Sequence, residues 1–162
     1  MYPKFIADAM LGKVAKKLRI FGFDTEYLAN ADDNEIINRC SDRKRIILTR
    51  DKQLYKRLTI LNIPSFPIIS DNELETLIII MKESNINYVL SVPNENTRCS
   101  LCNGTLDKAQ KSSLADTVPK KVFENVNIFF KCTSCKKVYW DGKHTKELNH
   151  IIGKINKEIE QV

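Results

Sequence analysis

Short apolar strands alternate with amphipathic helices over the first 95 residues, and this predicts an α/β domain of three layers with a parallel sheet. Two Cys-x-x-Cys pairs then predict a small metal-dependent module, followed by a C-terminal helix. The boundaries fall at residues 1–95 and 96–162. Of the 162 residues, 43% are apolar and 28% charged, as in a globular protein and unlike a disordered or membrane-embedded one. No apolar run approaches the roughly 18 residues of a membrane span, and the opening Met1-Tyr2-Pro3-Lys4 carries no signal-peptide pattern. A reducing, cytoplasmic setting without membrane association is the expectation.

Each element has its own signal. Lys4-Phe5-Ile6-Ala7 reads as a buried strand that stops at Asp8. Met10, Leu11, Val14, Ala15, Leu18 and Phe21 recur at helical spacing, and Gly22 closes the helix as a C-terminal glycine does. Thr25 to Leu28 is a second strand, after which Asp32 suits the N-cap of a helix that turns Ile36, Ile37 and Cys40 inward. Arg45-Ile46-Ile47-Leu48-Thr49 is the clearest strand and ends at Arg50-Asp51. A helix through Leu54 and Leu58, an extended piece from Pro64 to Ile69 and a helix around Leu74 to Met81 complete the domain. Strands separated by helices pair in parallel through right-handed crossovers.

The pairs Cys99/Cys102 and Cys132/Cys135 each suit a tight turn that aims two sulfurs at one point, the arrangement that tetrahedral zinc prefers. The pattern marks a zinc ribbon holding one structural zinc per chain. Two disulfides, a redox pair or an iron centre are the alternatives, and a reducing cytosol disfavours the disulfides. Cys40 sits on the apolar stripe of its helix and reads as a buried thiol. His144 and His150 are spare donors, since four thiolates already complete a tetrahedron. Residues 98–145 carry nine basic and four acidic side chains, whereas residues 1–97 carry 14 and 13. The positive excess therefore lies in the ribbon, where it favours a polyanion.

In a parallel sheet, ligands gather at the carboxyl ends of the strands. Asp8 and Asp51 each follow directly on a predicted strand, and Asp32, Asp33 and Glu35 open a helix at the same edge. Acids brought together there repel one another unless cations share the site, and hard oxygen donors suit magnesium or manganese. Two such ions can assist phosphodiester hydrolysis. Each acid also has a plainer role: Asp8 and Asp51 as helix N-caps, and Asp32-x-x-Glu35 as a capping box. Lys13, Lys16 and Lys17 form one cationic helix face that either meets phosphates or is simply solvated. Serine and cysteine triads, glycine-rich phosphate loops and dinucleotide fingerprints are absent from the sequence.

The motifs Phe5-Ile6-Ala7-Asp8-Ala9-Met10-Leu11-Gly12-Lys13, Gly22-Phe23-Asp24-Thr25, Asp33-Asn34-Glu35-Ile36 and Ile46-Ile47-Leu48-Thr49-Arg50-Asp51 occur in this order. Cys99-Ser100-Leu101-Cys102-Asn103-Gly104, Val118-Pro119, Cys132-Thr133-Ser134-Cys135 and Val138-Tyr139-Trp140-Asp141-Gly142-Lys143-His144 follow. Together they resemble the Mut-seven C-terminal ribonuclease family over residues 4 to about 152. The resemblance implies a PIN-like nuclease domain joined to a zinc ribbon, a metal-dependent ribonuclease acting on single-stranded RNA. It implies that Asp8, Asp33, Glu35 and Asp51 are the catalytic residues and hold magnesium or manganese. Lys13, Lys16, Lys17 and Arg50 are then the expected RNA-binding residues, and Cys99, Cys102, Cys132 and Cys135 the zinc ligands. Asn34 stands where such sequences more usually carry an acid, and Asp71 is the nearest candidate for a fourth acid. A catalytically silent RNA-binding or adaptor protein, with a ribosomal or RNA-processing partner, is the competing expectation.

Overall fold

The computed structural model describes residues 2–40 and 44–160. Strands β1 (Lys4–Ala7), β2 (Thr25–Tyr27), β3 (Arg45–Thr49) and β4 (Ser65–Pro67) form a wholly parallel sheet in the order β2-β1-β3-β4. Side chains alternate across it with period two. Phe5 and Ala7 of β1 and Leu48 of β3 enter one cluster with Val14, Ala15 and Leu18 of helix α1 (Gly12–Ile20) and Leu77, Ile80 and Met81 of helix α4 (Glu73–Glu83). Ile6 and Ile47 point the other way. They meet Ile36 and Cys40 at helix α2 (Asp33–Arg39) and Leu54 and Leu58 of helix α3 (Lys52–Ile60). The expected three layers follow from these two clusters. Cys40 is a core thiol, 1% exposed.

One apolar residue departs from its expected stripe. Met10 is 70% exposed, because Ala9–Leu11 form a 3₁₀ turn before α1 and only Leu11 of that turn is buried. At three residues per turn rather than 3.6, a 3₁₀ segment rotates its side chains off the α-helical face. Gly22 ends the helix as its sequence position suggested, in the left-handed region at φ 103°.

A second, antiparallel sheet contains β5 (Leu106–Ala109), β6 (Phe129–Cys132) and β7 (Val138–Trp140) in sequential order. Leu114, Val118 and Phe129 form its buried cluster, partly covered by Val122 and Phe123 of the short helix α5 (Lys120–Asn125). So small a core needs reinforcement. Helix α6 (Lys143–Ile159) follows this module in sequence but not in packing. Its Ile152 and Ile155 are buried in the α1/α4 cluster, with Leu148, Ile151 and Ile159 packed beside them. Asn156 of α6 also bonds both the amide and the carbonyl of Leu90, at 2.9 Å each. The linker into the cysteine module is thereby clamped to the main core.

Candidate active edge and metal centre

The chain leaves β1 toward β2 on one side and returns past it to β3 on the other, so the strand order reverses between the carboxyl ends of β1 and β3. Such a switch point leaves a crevice where two loops diverge. Asp8 follows β1 there, and Thr49-Arg50-Asp51 ends β3. The Asp8 carboxylate is 7% exposed and accepts from Thr49 Oγ1 at 2.5 Å, the Arg50 amide at 3.0 Å and the Met10 amide at 3.2 Å. Thr49 Oγ1 accepts in turn from the Asp51 amide at 3.0 Å, so one hydroxyl ties both acids to the strand end. Asp51 caps α3 through the Gln53 and Leu54 amides, at 2.6 and 3.0 Å. Both acids therefore fill the N-cap roles that their positions suggested, and a cap of this kind contributes about 1 kcal/mol.

Asp33 and Glu35 behave differently. Arg57 of α3 donates to Asp33 Oδ2 at 2.8 Å and to Asn34 Oδ1 at 2.7 Å. Arg39 reaches Glu35 at 3.2 Å and Glu26 at 3.6 Å. Asp32 caps α2 by accepting from the Glu35 amide at 2.9 Å, one half of the expected capping box. Among the described residues the acids do not gather tightly enough to form a cluster of three donors around one point, whereas the four cysteines do. Asp8 and Asp51 have no Lys or Arg ion pair among the described residues, and Asp33 and Glu35 each have one.

The cations near this edge are unequally available. Lys13 and Lys16 are exposed on α1, while Lys17 is half-buried in an ion pair with Glu73 of α4. Arg50 donates to Asp71 Oδ1 at 2.8 Å and to the Ser70 carbonyl at 2.9 Å, and its buried Nε has no partner. Asp71, almost fully exposed, thus serves as the counter-ion of Arg50.

At the cysteine module the same small device is used twice. Asn103 donates to the Cys99 carbonyl and Cys99 to the Gly104 carbonyl, at 2.9 and 2.8 Å; Lys136 donates to the Cys132 carbonyl and Cys132 to the Lys137 carbonyl, at 3.2 and 2.9 Å. Asn103 and Lys136 both adopt positive φ, 67° and 64°, which turns each backbone back on itself. The thiols converge: Cys99 and Cys135 lie 3.5 Å apart, Cys102 and Cys132 3.4 Å, and all four sulfurs lie within 4.8 Å of one another. A tetrahedron with Zn–S bonds of about 2.3 Å has edges of about 3.8 Å, whereas a disulfide needs about 2.05 Å. None of these four thiols is joined in a disulfide. Gly104 permits the approach, since a Cβ there would stand 2.9 Å from Cys132 Sγ and 2.8 Å from Ser134 Oγ.

The thiols also divide electrostatically. Burial raises Cys99, but hydrogen bonds from Tyr139, from the Cys102 and Leu101 amides and from Cys135 outweigh it and pull the thiol down to about 6. The Lys137 amide lowers Cys135, yet burial and the neighbouring sulfurs push it up to about 12. Four thiols this close resist full ionisation on their own, and a cation at their centre removes that conflict. His144 and His150 lie outside the cluster.

The first cysteine turn docks on the amino-terminal edge of the parallel sheet, opposite the acids. Arg19, 6% exposed at the end of α1, donates to the Thr25 carbonyl at 2.8 Å and to the Ser100 and Leu101 carbonyls at 3.1 and 3.0 Å. Its burial lowers the Arg19 pKa, opposed by the nearby cysteines. Asn103 covers the edge of β2, accepting from the Thr25 amide at 3.0 Å and donating to Asp24 at 2.7 Å. Burial raises Asp24, but the paired bonds from Arg45 and the one from Asn103 hold it below the usual carboxylate range.

Sequence reasoning missed Thr49, Arg57, Arg19 and Asn103. Thr49 had a signal, a hydroxyl closing the clearest strand two residues before Asp51; for the other three the sequence separation from their partners hides the pairing.

A parallel α/β sheet with acids at its switch point and a four-thiol module on its opposite edge is the class of protein these features define. The chain belongs to the Mut7-C RNAse domain family, whose model matches residues 3–152. It is accordingly of ribonuclease type, with RNA the substrate class that the family indicates. No curated protein and no solved structure matches it. No helix among the described residues is long and apolar enough to cross a membrane.

Proposed function

We propose that this chain is a PIN-like, divalent-metal-dependent ribonuclease that hydrolyses single-stranded RNA in the cytoplasm, with zinc serving structure at Cys99, Cys102, Cys132 and Cys135. The observation that carries the reading is Asp8: a carboxylate buried at the switch point and fixed by three hydrogen bonds, without an ion pair from any described cationic side chain. A buried anion left in this state is stabilised by a divalent ion, and oxygen donors suit magnesium or manganese. Asp8 and Asp51 would hold it, with Asp33 and Glu35 joining once they leave Arg57 and Arg39. Such an ion supplies charge neutralisation at the phosphate and makes water a stronger acid. Thr49 holds Asp8 in one rotamer, and exposed Asp51 orients the attacking water or accepts its proton. Water forms the new P–O bond as the ester P–O bond breaks. Lys13 and Lys16 hold the phosphates on either side. Lys17 and Arg50 can add to them only by releasing Glu73 and Asp71.

Labelled single-stranded RNA and DNA, incubated with the zinc-loaded protein and with manganese, magnesium or neither, test this directly. Cleavage of RNA that needs the added ion and vanishes in Asp8→Asn is expected. Equal cleavage by Asp8→Asn refutes the assignment. A silent RNA-binding or adaptor role, through RNA or a processing or ribosomal partner, is favoured by one observation: Arg57 neutralises Asp33 and also occupies Asn34, leaving that part of the edge already satisfied. Binding without cleavage under every metal condition would select it.

A further inference from the structure

A groove of about 540 Å³ opens where the cysteine module meets the main core. Its floor is the face of the antiparallel sheet that carries Leu106, Phe130 and Tyr139, and Ile128, Trp140 and Leu148 close its sides. Phe130 and Tyr139 are directly opposed across β6 and β7, and Lys108 extends the same row on β5. Lys137 Nζ stands 5.5 Å from the Tyr139 ring centre. Lys137, without an ion pair among the described residues, and Arg98 line the groove beside Asp141 and His144, and exposed Lys108 stands on the same sheet face, so cations border an apolar, aromatic floor.

The groove is connected to the acid edge by a single helix face. Lys13, Lys16 and Ile20 of α1 are spaced i, i+3 and i+7 and so lie in one row. Lys13 begins beside the switch point, and Ile20 lines the groove at the other end. The row spans about 10 Å at 1.5 Å per residue. A strand whose phosphates follow Lys13 and Lys16 from the acids is delivered onto the aromatic floor about two nucleotides beyond Lys13.

We propose that this groove is a second RNA subsite, which takes unstacked bases of the single strand whose scissile phosphate lies at Asp8 and Asp51. The inference rests on the ribonuclease reading and deepens it. Aromatic floors with lysine rims hold single-stranded bases by stacking and their phosphates by charge. The excess of nine basic over four acidic side chains across residues 98–145 complements such a strand. The subsite sets a minimum substrate length, because a short oligonucleotide engages one end of the α1 row and not the other.

Trp140 is the single tryptophan of the chain and lines the groove, so its emission reports occupancy. The test uses full-length Asp8→Asn, which preserves the RNA, titrated with oligouridylates of about 2 and about 15 nucleotides. Quenching by the longer strand is expected at concentrations at least about tenfold lower than by the shorter one. Phe130→Leu keeps an apolar floor without the ring and should weaken the longer strand about tenfold. Lys137→Gln, fully surface-placed, should reduce the logarithmic salt slope by about 0.7. No quenching, or unchanged binding in both variants at parental zinc content, overturns the subsite. RNA cleavage by the parent without quenching removes the subsite and leaves the ribonuclease reading standing; quenching without cleavage does the reverse. An emission shift that depends on protein concentration alone would assign the groove to a second copy of the chain and overturn the proposal.

Discussion

The two candidate metal regions of this molecule are built on opposite plans. At the cysteine module, two copies of one turn bring four sulfurs within 4.8 Å of each other, and Gly104 leaves the room they need. At the switch point, acids come from three separate strand-to-helix loops and are held individually, Asp8 and Asp51 by hydroxyl and amide donors, Asp33 and Glu35 by arginines. Local geometry can therefore complete the first centre with little help from the rest of the chain. The second depends on how the sheet orders its strands. A thiol cluster closed on itself suits a structural ion, whereas an edge whose acids keep alternative partners suits a site that changes on binding substrate and metal.

The largest expected effect separates chemistry from folding. Asp8→Asn should lower RNA cleavage by at least about a hundredfold; its NH2 must face either the Met10 or the Arg50 amide, so the stability should fall by only about 1–3 kcal/mol without loss of the fold. Gel assays beside calorimetry check both halves. If stability collapses with activity, the acid edge is structural in the same sense as the thiols.

Next in size is the loss of zinc. Elemental analysis is expected to find roughly one zinc per parent chain and none in Cys132→Ser, and the β5–β7 sheet of the variant should lose its amide protection. Protection in β1 and β3 should persist. Full zinc occupancy in this variant would show that three thiolates suffice and that the four-sulfur cluster is not closed on itself.

Arg19→Met probes the joint between the regions. It leaves the Thr25, Ser100 and Leu101 carbonyls without their donor and should cost about 3 kcal/mol, read as a shift in the denaturation midpoint. Asp24 adds a pH dependence at the same joint. Its folded pKa lies below the unfolded value, so its contribution is present above about pH 4 and is lost as pH falls through the lowered folded value. Asp24→Asn should flatten the acid limb of the stability curve.

The smallest effect sharpens the contrast most. Arg57→Ala removes an exposed ion pair, worth under about 1 kcal/mol, yet frees Asp33. Manganese affinity, followed by calorimetric titration, should rise several-fold if Asp33 belongs to the metal site. An unchanged affinity would confine the site to Asp8 and Asp51.

Sequence alone determined the alternating strands and helices, the turn at Gly22, the buried Cys40 and the four thiols as one cluster. These depend on periodicity, capping and short-range spacing, which act within a few residues and are written locally. It also placed the acids at strand ends. Only the tertiary structure decided that α6 belongs to the main core, that Arg19 and Asn103 weld the cysteine module to the amino-terminal edge, and that Arg57 and Arg39 occupy Asp33 and Glu35. Arg19 and Leu101 are 82 residues apart and Asn103 and Thr25 are 78. Pairings at that separation leave no periodic trace, because they are fixed by which strand edge stands open and which buried polar group still needs a partner.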